Sequence, residues 1–104
     1  MLLKMDKSKD LTKVASEASK VLFENERVRV MEAIFKPGES IPTHHHPDHV
    51  VYVVKGGRLK VTSEGKPREV DFKEGSVMFL NAQDHEGIND GDTTVELIIT
   101  ELKK

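Results

Sequence analysis

The sequence predicts an all-β domain, built as a two-sheet sandwich or a small barrel. Three observations carry this: apolar residues recur with period two from Lys20 onward, turn residues punctuate them at nearly regular intervals, and about nine short strands fit within roughly 80 residues. A chain of 104 residues has room for one compact unit, which buries roughly 60–70% of the surface its unfolded chain exposes. There is no cysteine. Disulfides, thiolate nucleophiles, iron–sulfur clusters and cysteine-ligated zinc are therefore excluded, and any metal must be held by nitrogen and oxygen. With 16 Lys+Arg against 18 Asp+Glu the formal charge is −2, which argues against nucleic acid as a partner. Tryptophan is absent and Tyr52 is the single tyrosine, so an aromatic platform for sugars or bases is not expected. Apolar runs such as Val50–Val54 are far below the ~20 residues of a membrane span, and Met1–Lys7 lacks an apolar stretch of signal-peptide length. A soluble, cytoplasmic protein without a membrane partner is expected.

Residues 1–20 are polar and lysine-rich and sustain no helical face beyond about two turns. They read as a loose or partner-docked arm, with a short helix conceivable over Thr12–Ser19, ahead of a single domain at 21–104. Val21–Phe23 opens the β pattern, Asn25-Glu26 turns it, and Arg27–Lys36 alternates until Pro37-Gly38 stops it. Ile41–His46 is a short strand ended by Pro47-Asp48, after which an antiparallel return would bring His49 back beside it. His49–Lys55 is β-branched on both faces, and Gly56-Gly57 reads as a hairpin turn. Arg58–Thr62 alternates with Leu59 and Val61 inward. Glu64-Gly65-Lys66-Pro67 turns the chain into a strand through Val70 and Phe72; Gly75 precedes Val77–Leu80, and Asp90-Gly91 precedes Thr94–Leu102. No internal repeat is visible.

The histidines carry the chemistry. Four of five fall in one short window, His44, His45, His46 and His49, and the fifth is His85. Residues i and i+2 of a strand share a face with Cα atoms about 6–7 Å apart, so His44 and His46 can converge on one cation while His45 points away. His49 would add a third nitrogen and His85 would close the site from another strand. A polar strand end with solvated imidazoles is the bland alternative, and His85, between Asp84 and Glu86, would then be a surface loop residue.

These residues resemble the cupin superfamily. Gly38, five residues, His44, one residue, His46 and an apolar strand ending at Gly56 resemble its first motif; Gly75, five residues, Asn81, three residues, His85, three residues, Asn89 resemble its second. The resemblance spans roughly residues 27–100 and implies a small jelly-roll β-barrel of about nine antiparallel strands, commonly dimeric, holding one divalent metal on three histidines and a glutamate. By position the histidines are His44, His46 and His85. The glutamate has no counterpart: counting seven residues back from Gly56 lands on His49, and a slip of one would offer Asp48. We favour His49, which puts Val51 and Val53 beside it and Tyr52 on the outer face; Asp48 would instead bring Tyr52 inward. In the second motif Asn81 and Gln83 stand where the family has proline and glycine.

The expected metal set is therefore His44, His46, His49 and His85, with Asp48, Gln83, Asp84 and Glu86 as the polar residues nearest to orient the rings. Such nitrogen ligation suits iron, nickel, copper, zinc or manganese alike. The resemblance implies a small metal-dependent enzyme with oxygenase-type chemistry on an anionic or enolisable small molecule, with Met31, Phe35, Met78, Phe79 and Ile88 excluding water. A non-catalytic metal- or ligand-binding or sensor module is the alternative, and a sugar isomerase or epimerase a third. A homodimer is expected, because a sandwich this small leaves open sheet edges.

Overall fold

The computed structural model describes residues 10–103. The first nine residues of the predicted arm lie outside them. Among the described residues, nine strands form two sheets, and all strand pairings are antiparallel. One sheet has the order β1 (Ser19–Glu24), β2 (Val28–Phe35), β9 (Val95–Leu102), β4 (His49–Lys55), β7 (Val77–Leu80). The other runs β3 (Ser40–His46), β8 (Gln83–Ile88), β5 (Gly57–Ser63), β6 (Lys66–Phe72). The period-two pattern predicted an all-β sandwich or small barrel, and this arrangement agrees with the jelly roll that the family resemblance implied.

Alternation decides what lies between the sheets. Met31, Ala33 and Phe35 of β2, Val51 and Val53 of β4, and Val95, Leu97 and Ile99 of β9 are buried on one inner face. Ile41, Leu59 and Phe72 face them from the second sheet. In β4 the same parity leaves Tyr52 outside, 45% exposed. Phe79 pairs with outward Val50 and is exposed, so it cannot exclude water from the interior as expected. Met31 and Ile88 do not line the cavity either, while Phe35 and Met78 do.

Two turns depart from the expected connections. Gly56-Gly57 is not a hairpin turn: β4 pairs with β7 and β9, whereas β5 pairs with β6 and β8. Here the chain crosses from one sheet to the other, and the glycines are required by close approach. A Cβ at Gly56 would sit 2.6 Å from the Phe72 carbonyl oxygen, and one at Gly57 would sit 2.6 Å from Thr93 Oγ1. Likewise β3 and β4, flanking Pro47-Asp48, belong to opposite sheets. His49 thus faces His46 across the sandwich instead of lying beside it in one ladder. A genuine two-residue hairpin joins β5 to β6, where Glu64 and Gly65 both take positive φ (53° and 75°), as the twist-matched turn requires.

The described part of the arm lies against its own domain. Its helix α1 (Leu11–Val14) is a single turn, earlier and shorter than the stretch over Thr12–Ser19. Leu11 is fully buried, Asp10 forms an isolated parallel bridge with His45, and the Ile34 amide donates to the Ala18 carbonyl at 2.7 Å. One buried leucine and a few backbone bonds make no periodic pattern, so the docking left no sequence signal.

Candidate metal centre

Strand pairing assembles the histidines. His44 and His46 project inward from β3, and His44 lies directly opposite His85 of β8 in the ladder. Among the described residues, His44, His46 and His85 form a group whose ligating nitrogens all lie within 4.8 Å of one another. His49 enters from β4 in the facing sheet, is 1% exposed, and stacks on His46 with ring centroids 4.6 Å apart, but it is not in that group of three. His45 turns to the other side, where its Nδ1 lies 2.6 Å from an Asp84 carboxylate oxygen. Asp48 is outward of the cavity; its Oδ1 accepts from the Ala82 amide at 2.8 Å.

Every inward ring is held by its Nδ1. His44 and His49 meet the carbonyl oxygens of Pro42 and Pro47 at 2.8 and 2.7 Å. A carbonyl only accepts, so the proton sits on Nδ1 and the lone pair on Nε2. His85 Nδ1 lies 2.9 Å from Gln83 Oε1, and His46 Nδ1 lies 2.6 Å from Glu101 Oε2. Four imidazoles thereby reserve the same nitrogen for a ligand. Burial lowers the pKa of all four, to about 2 for His46 and about 3 for His85. They are neutral at pH 7, as ligation requires.

The ring separations test whether an ion fits. Coordination through nitrogen at about 2.0–2.1 Å places a ring centroid about 3.2 Å from the ion, so centroids lie about 4.5 Å apart at right angles, about 5.2 Å at the tetrahedral angle and about 6.4 Å when opposed. The observed separations are 4.9 Å for His44–His46, 4.6 Å for His44–His85, 5.3 Å for His46–His85 and 6.4 Å for His49–His85. The first three suit one face of a coordination sphere. The donor set therefore fits a nitrogen-preferring divalent ion.

The rings open onto a cavity of about 350 Å³ between the sheets. Its buried walls are mainly apolar, including Leu11, Phe35, Val51, Leu59 and Leu97, and Arg68, Glu69, Asp71 and Glu86 line it as exposed residues. Of the polar residues expected to orient the rings, Gln83 holds His85. Asp84 serves His45, and Glu86 accepts from Thr43 at 3.2 Å.

Glu101, Arg29 and Asp10 were not anticipated. Glu101 is 2% exposed, and its Oε1 accepts from Arg29 Nε at 3.1 Å and Nη2 at 2.8 Å. Arg29 in turn grips both carboxylate oxygens of Asp10, with Nη1 to Oδ2 at 3.0 Å. Burial raises the Glu101 pKa against the opposing pull of Arg29. Burial would also raise Asp10, but hydrogen bonds from Arg29 and Thr12 hold it below the usual carboxylate range. The signal was the parity that puts Arg29 with Met31 and Ala33, and Glu101 with Leu97 and Ile99; a charge at a strand end reads locally as solvated.

Fold and site together define a small jelly-roll domain with a histidine-lined internal cavity. The cupin domain family profile matches residues 31–101, and the chain belongs to this family. A cupin domain from Bordetella pertussis Tohama I is similar at a TM-score of 0.77, with 28% identity over 83% of this chain and 92% of that one. A predicted oxalate decarboxylase from Thermotoga maritima gives a TM-score of 0.61 at 22% identity, covering 83% of this chain and 79% of its own. A polyketide cyclase from Streptomyces resistomycificus gives 0.62 at 20%, covering 83% and 64%. No curated protein matches the sequence.

Proposed function

We propose that the protein is a metal-dependent enzyme that holds one divalent ion on His44, His46 and His85, with His49 as fourth ligand, and acts with oxygenase-type chemistry on an anionic or enolisable small molecule. The observation that carries this is the convergence of His44, His46 and His85, three neutral imidazoles with Nδ1 already committed and ligating nitrogens within 4.8 Å of one another, at the wall of a cavity of about 350 Å³ with His49 beside them. An ion ligated by neutral imidazoles keeps its full charge and supplies a Lewis acid for a carboxylate or enolate. His49, stacked on His46 from the facing sheet, is the nearest further nitrogen that would complete the set. Apolar walls take up the body of the substrate and exclude water.

A second reading is a binding module without turnover. It is favoured by the buried part of the cavity wall, which among the described residues offers no acid or base beside the imidazoles, the carboxylates of Glu69, Asp71 and Glu86 being exposed. The apolar wall weighs against a sugar isomerase or epimerase, because sugar hydroxyls would be left unpaired there. The relatives with printed activities, a predicted oxalate decarboxylase and a polyketide cyclase, share the fold at low identity and support no more specific choice. A homodimer and a cytoplasmic location belong to the same proposal. Among the described residues no helix is long and apolar enough to cross a membrane.

The test is to strip the protein of metal, reload it anaerobically with iron(II), manganese, nickel, copper or zinc, and follow stoichiometry and oxygen uptake with small enols, diketones and carboxylates. One ion per chain and substrate-dependent oxygen uptake are expected. One ion per chain without turnover across the panel establishes the binding module, and failure to bind any ion stoichiometrically overturns both readings.

A further inference from the structure

Asp10, Arg29, Glu101 and His46 form one continuous chain of hydrogen bonds, part-buried at Arg29 and buried at His46, that starts in the arm and ends at a proposed ligand. Burying a guanidinium between two carboxylates is costly, and apolar residues of similar volume often serve a fold equally well. The electrical sum is informative. Two carboxylates and one guanidinium leave one negative charge directly behind imidazoles that bring none of their own. The carboxylate that the family resemblance places among the ligands is replaced at position 49 by histidine; Glu101 supplies a carboxylate one layer further out. Without Asp10, Arg29 would neutralise Glu101 and that charge would vanish. Asp10 comes from the arm, whose next residue, Leu11, is fully buried and lines the same cavity.

We propose that the arm is a working part of the metal centre: Asp10, acting through Arg29 and Glu101, positions and polarises His46, so that docking of residues 10–18 and binding of the ion reinforce each other. The inference rests on the metal-binding reading of the histidines. Asp10, Arg29 and Glu101 are positioning residues; none is proposed to touch the ion. A carboxylate accepting from a ligating imidazole makes its free nitrogen a stronger donor, and loss of such a partner typically weakens metal affinity about 10- to 100-fold. Removing Asp10 leaves Glu101 in place but draws its charge toward Arg29, so a loss of about tenfold is expected, within the usual range of coupling between sites. Coupling is reciprocal, and the ion must therefore tighten the arm.

The experiment uses the full chain with Asp10→Asn, and Lys13→Ala, an exposed residue of the same helical turn, as control. In metal-free protein, nitrogen-15 NMR should show the His46 Nδ1–H proton, deshielded by Glu101, moving upfield in Asp10→Asn. The rings of His44 and His49, bound to main-chain carbonyls, should be unmoved. Cobalt(II) affinity should fall about tenfold in Asp10→Asn, with one ion per chain retained, and stay unchanged in Lys13→Ala. In unmodified protein, exchange of the Ala15 amide, which donates to the Leu11 carbonyl, should slow on loading zinc. An affinity within about twofold of the unmodified protein, or arm exchange indifferent to zinc, overturns the proposal. If the unmodified chain binds no metal, the metal reading fails by itself and the NMR comparison decides the relay: an unmoved His46 proton overturns it. Should Asp10→Asn not fold, the zinc-dependent exchange of the unmodified chain decides.

Discussion

His46 and Glu101 stand on opposite sheets and meet through a 2.6 Å contact between Nδ1 and Oε2, each 2% exposed. Through Glu101, the β2–β9 ladder that carries Arg29 directly opposite it is joined to the β3–β8 ladder that carries His44, His46 and His85. The contact fixes ring orientation and ties the two halves of the sandwich together at the site.

Arg29→Met removes the cation from between two buried carboxylates. Breaking a buried pair on one side costs about 3–5 kcal/mol, and urea denaturation of the metal-free protein should register a loss of that size. Replacing Asp10, Arg29 and Glu101 together by apolar residues should cost far less. A triple variant as unstable as Arg29→Met would show that the charges stabilise the fold in themselves.

An alanine series reads the strand parity directly. His44→Ala, His46→Ala and His85→Ala should each lose stoichiometric metal by equilibrium dialysis, and His49→Ala should bind more weakly. His45→Ala should bind as the unmodified protein does, because its ring pairs with Asp84 away from the cavity. Equal losses at positions 45 and 46 would show that strand alternation does not set the ligands.

Acid should destabilise the metal-free protein early. His46 and His85 titrate at about 2 and about 3 in the fold against 6.5 in the unfolded chain, and burial lowers His44 and His49 likewise. Between pH 6.5 and about 3 the unfolded chain thus binds more protons at His46 and His85, each of which removes up to about 1.4 kcal/mol of stability per pH unit as pH falls, and His44 and His49 act in the same direction. Glu101, raised by burial, works in the opposite sense just above its ordinary value, but it is one group against four. Urea midpoints measured from pH 7.5 to 5 should fall steeply below pH 6.5, and a flat profile would mean that the rings are not held neutral.

Gly56→Ala should destabilise by about 1–3 kcal/mol, the range for overpacking a closely fitted position. Its Cβ would strike main-chain atoms of Phe72 and Glu74, which cannot move aside as a side chain can. Thermal melting measures this. Gly65→Ala tests a different cause, positive φ in open space, and should show that effect without crowding.

The proposed dimer has a natural face. Tyr52, Val77 and Phe79 are 45–64% exposed on the outside of the five-stranded sheet, and Val21, Leu22 and Phe23 are exposed on its edge strand. Sedimentation at micromolar concentration should show a dimer that Phe79→Glu dissociates. A monomer for the unmodified chain would leave that face to another partner.

Much of this was legible in the sequence, for a physical reason. Period two is a local property, so strands, inner faces and the separation of His45 from His44 and His46 followed from alternation alone. Partner choice is not local. Gly56-Gly57 carries turn chemistry that suits a hairpin and a sheet-to-sheet crossing equally, and only the carbonyl of Phe72 at 2.6 Å distinguishes them. Phe79 was misplaced for the same reason, since its direction depends on register with Val50. Arg29 and Glu101 touch across 72 positions of chain. Their parity was readable, but a buried charge is justified only by its partners, and those come from three separate segments.

Three of the proposed ligands hang on one ladder, while the remaining one reaches over from the opposite wall. The tripod is thereby insulated from whatever occupies residue 49: a carboxylate, an amide or an aliphatic side chain there would retune charge and vacancy at the ion without disturbing the scaffold. On the proposed reading, position 49 is where a substitution changes the charge beside the ion while leaving the β3–β8 pairing of the other three ligands in place.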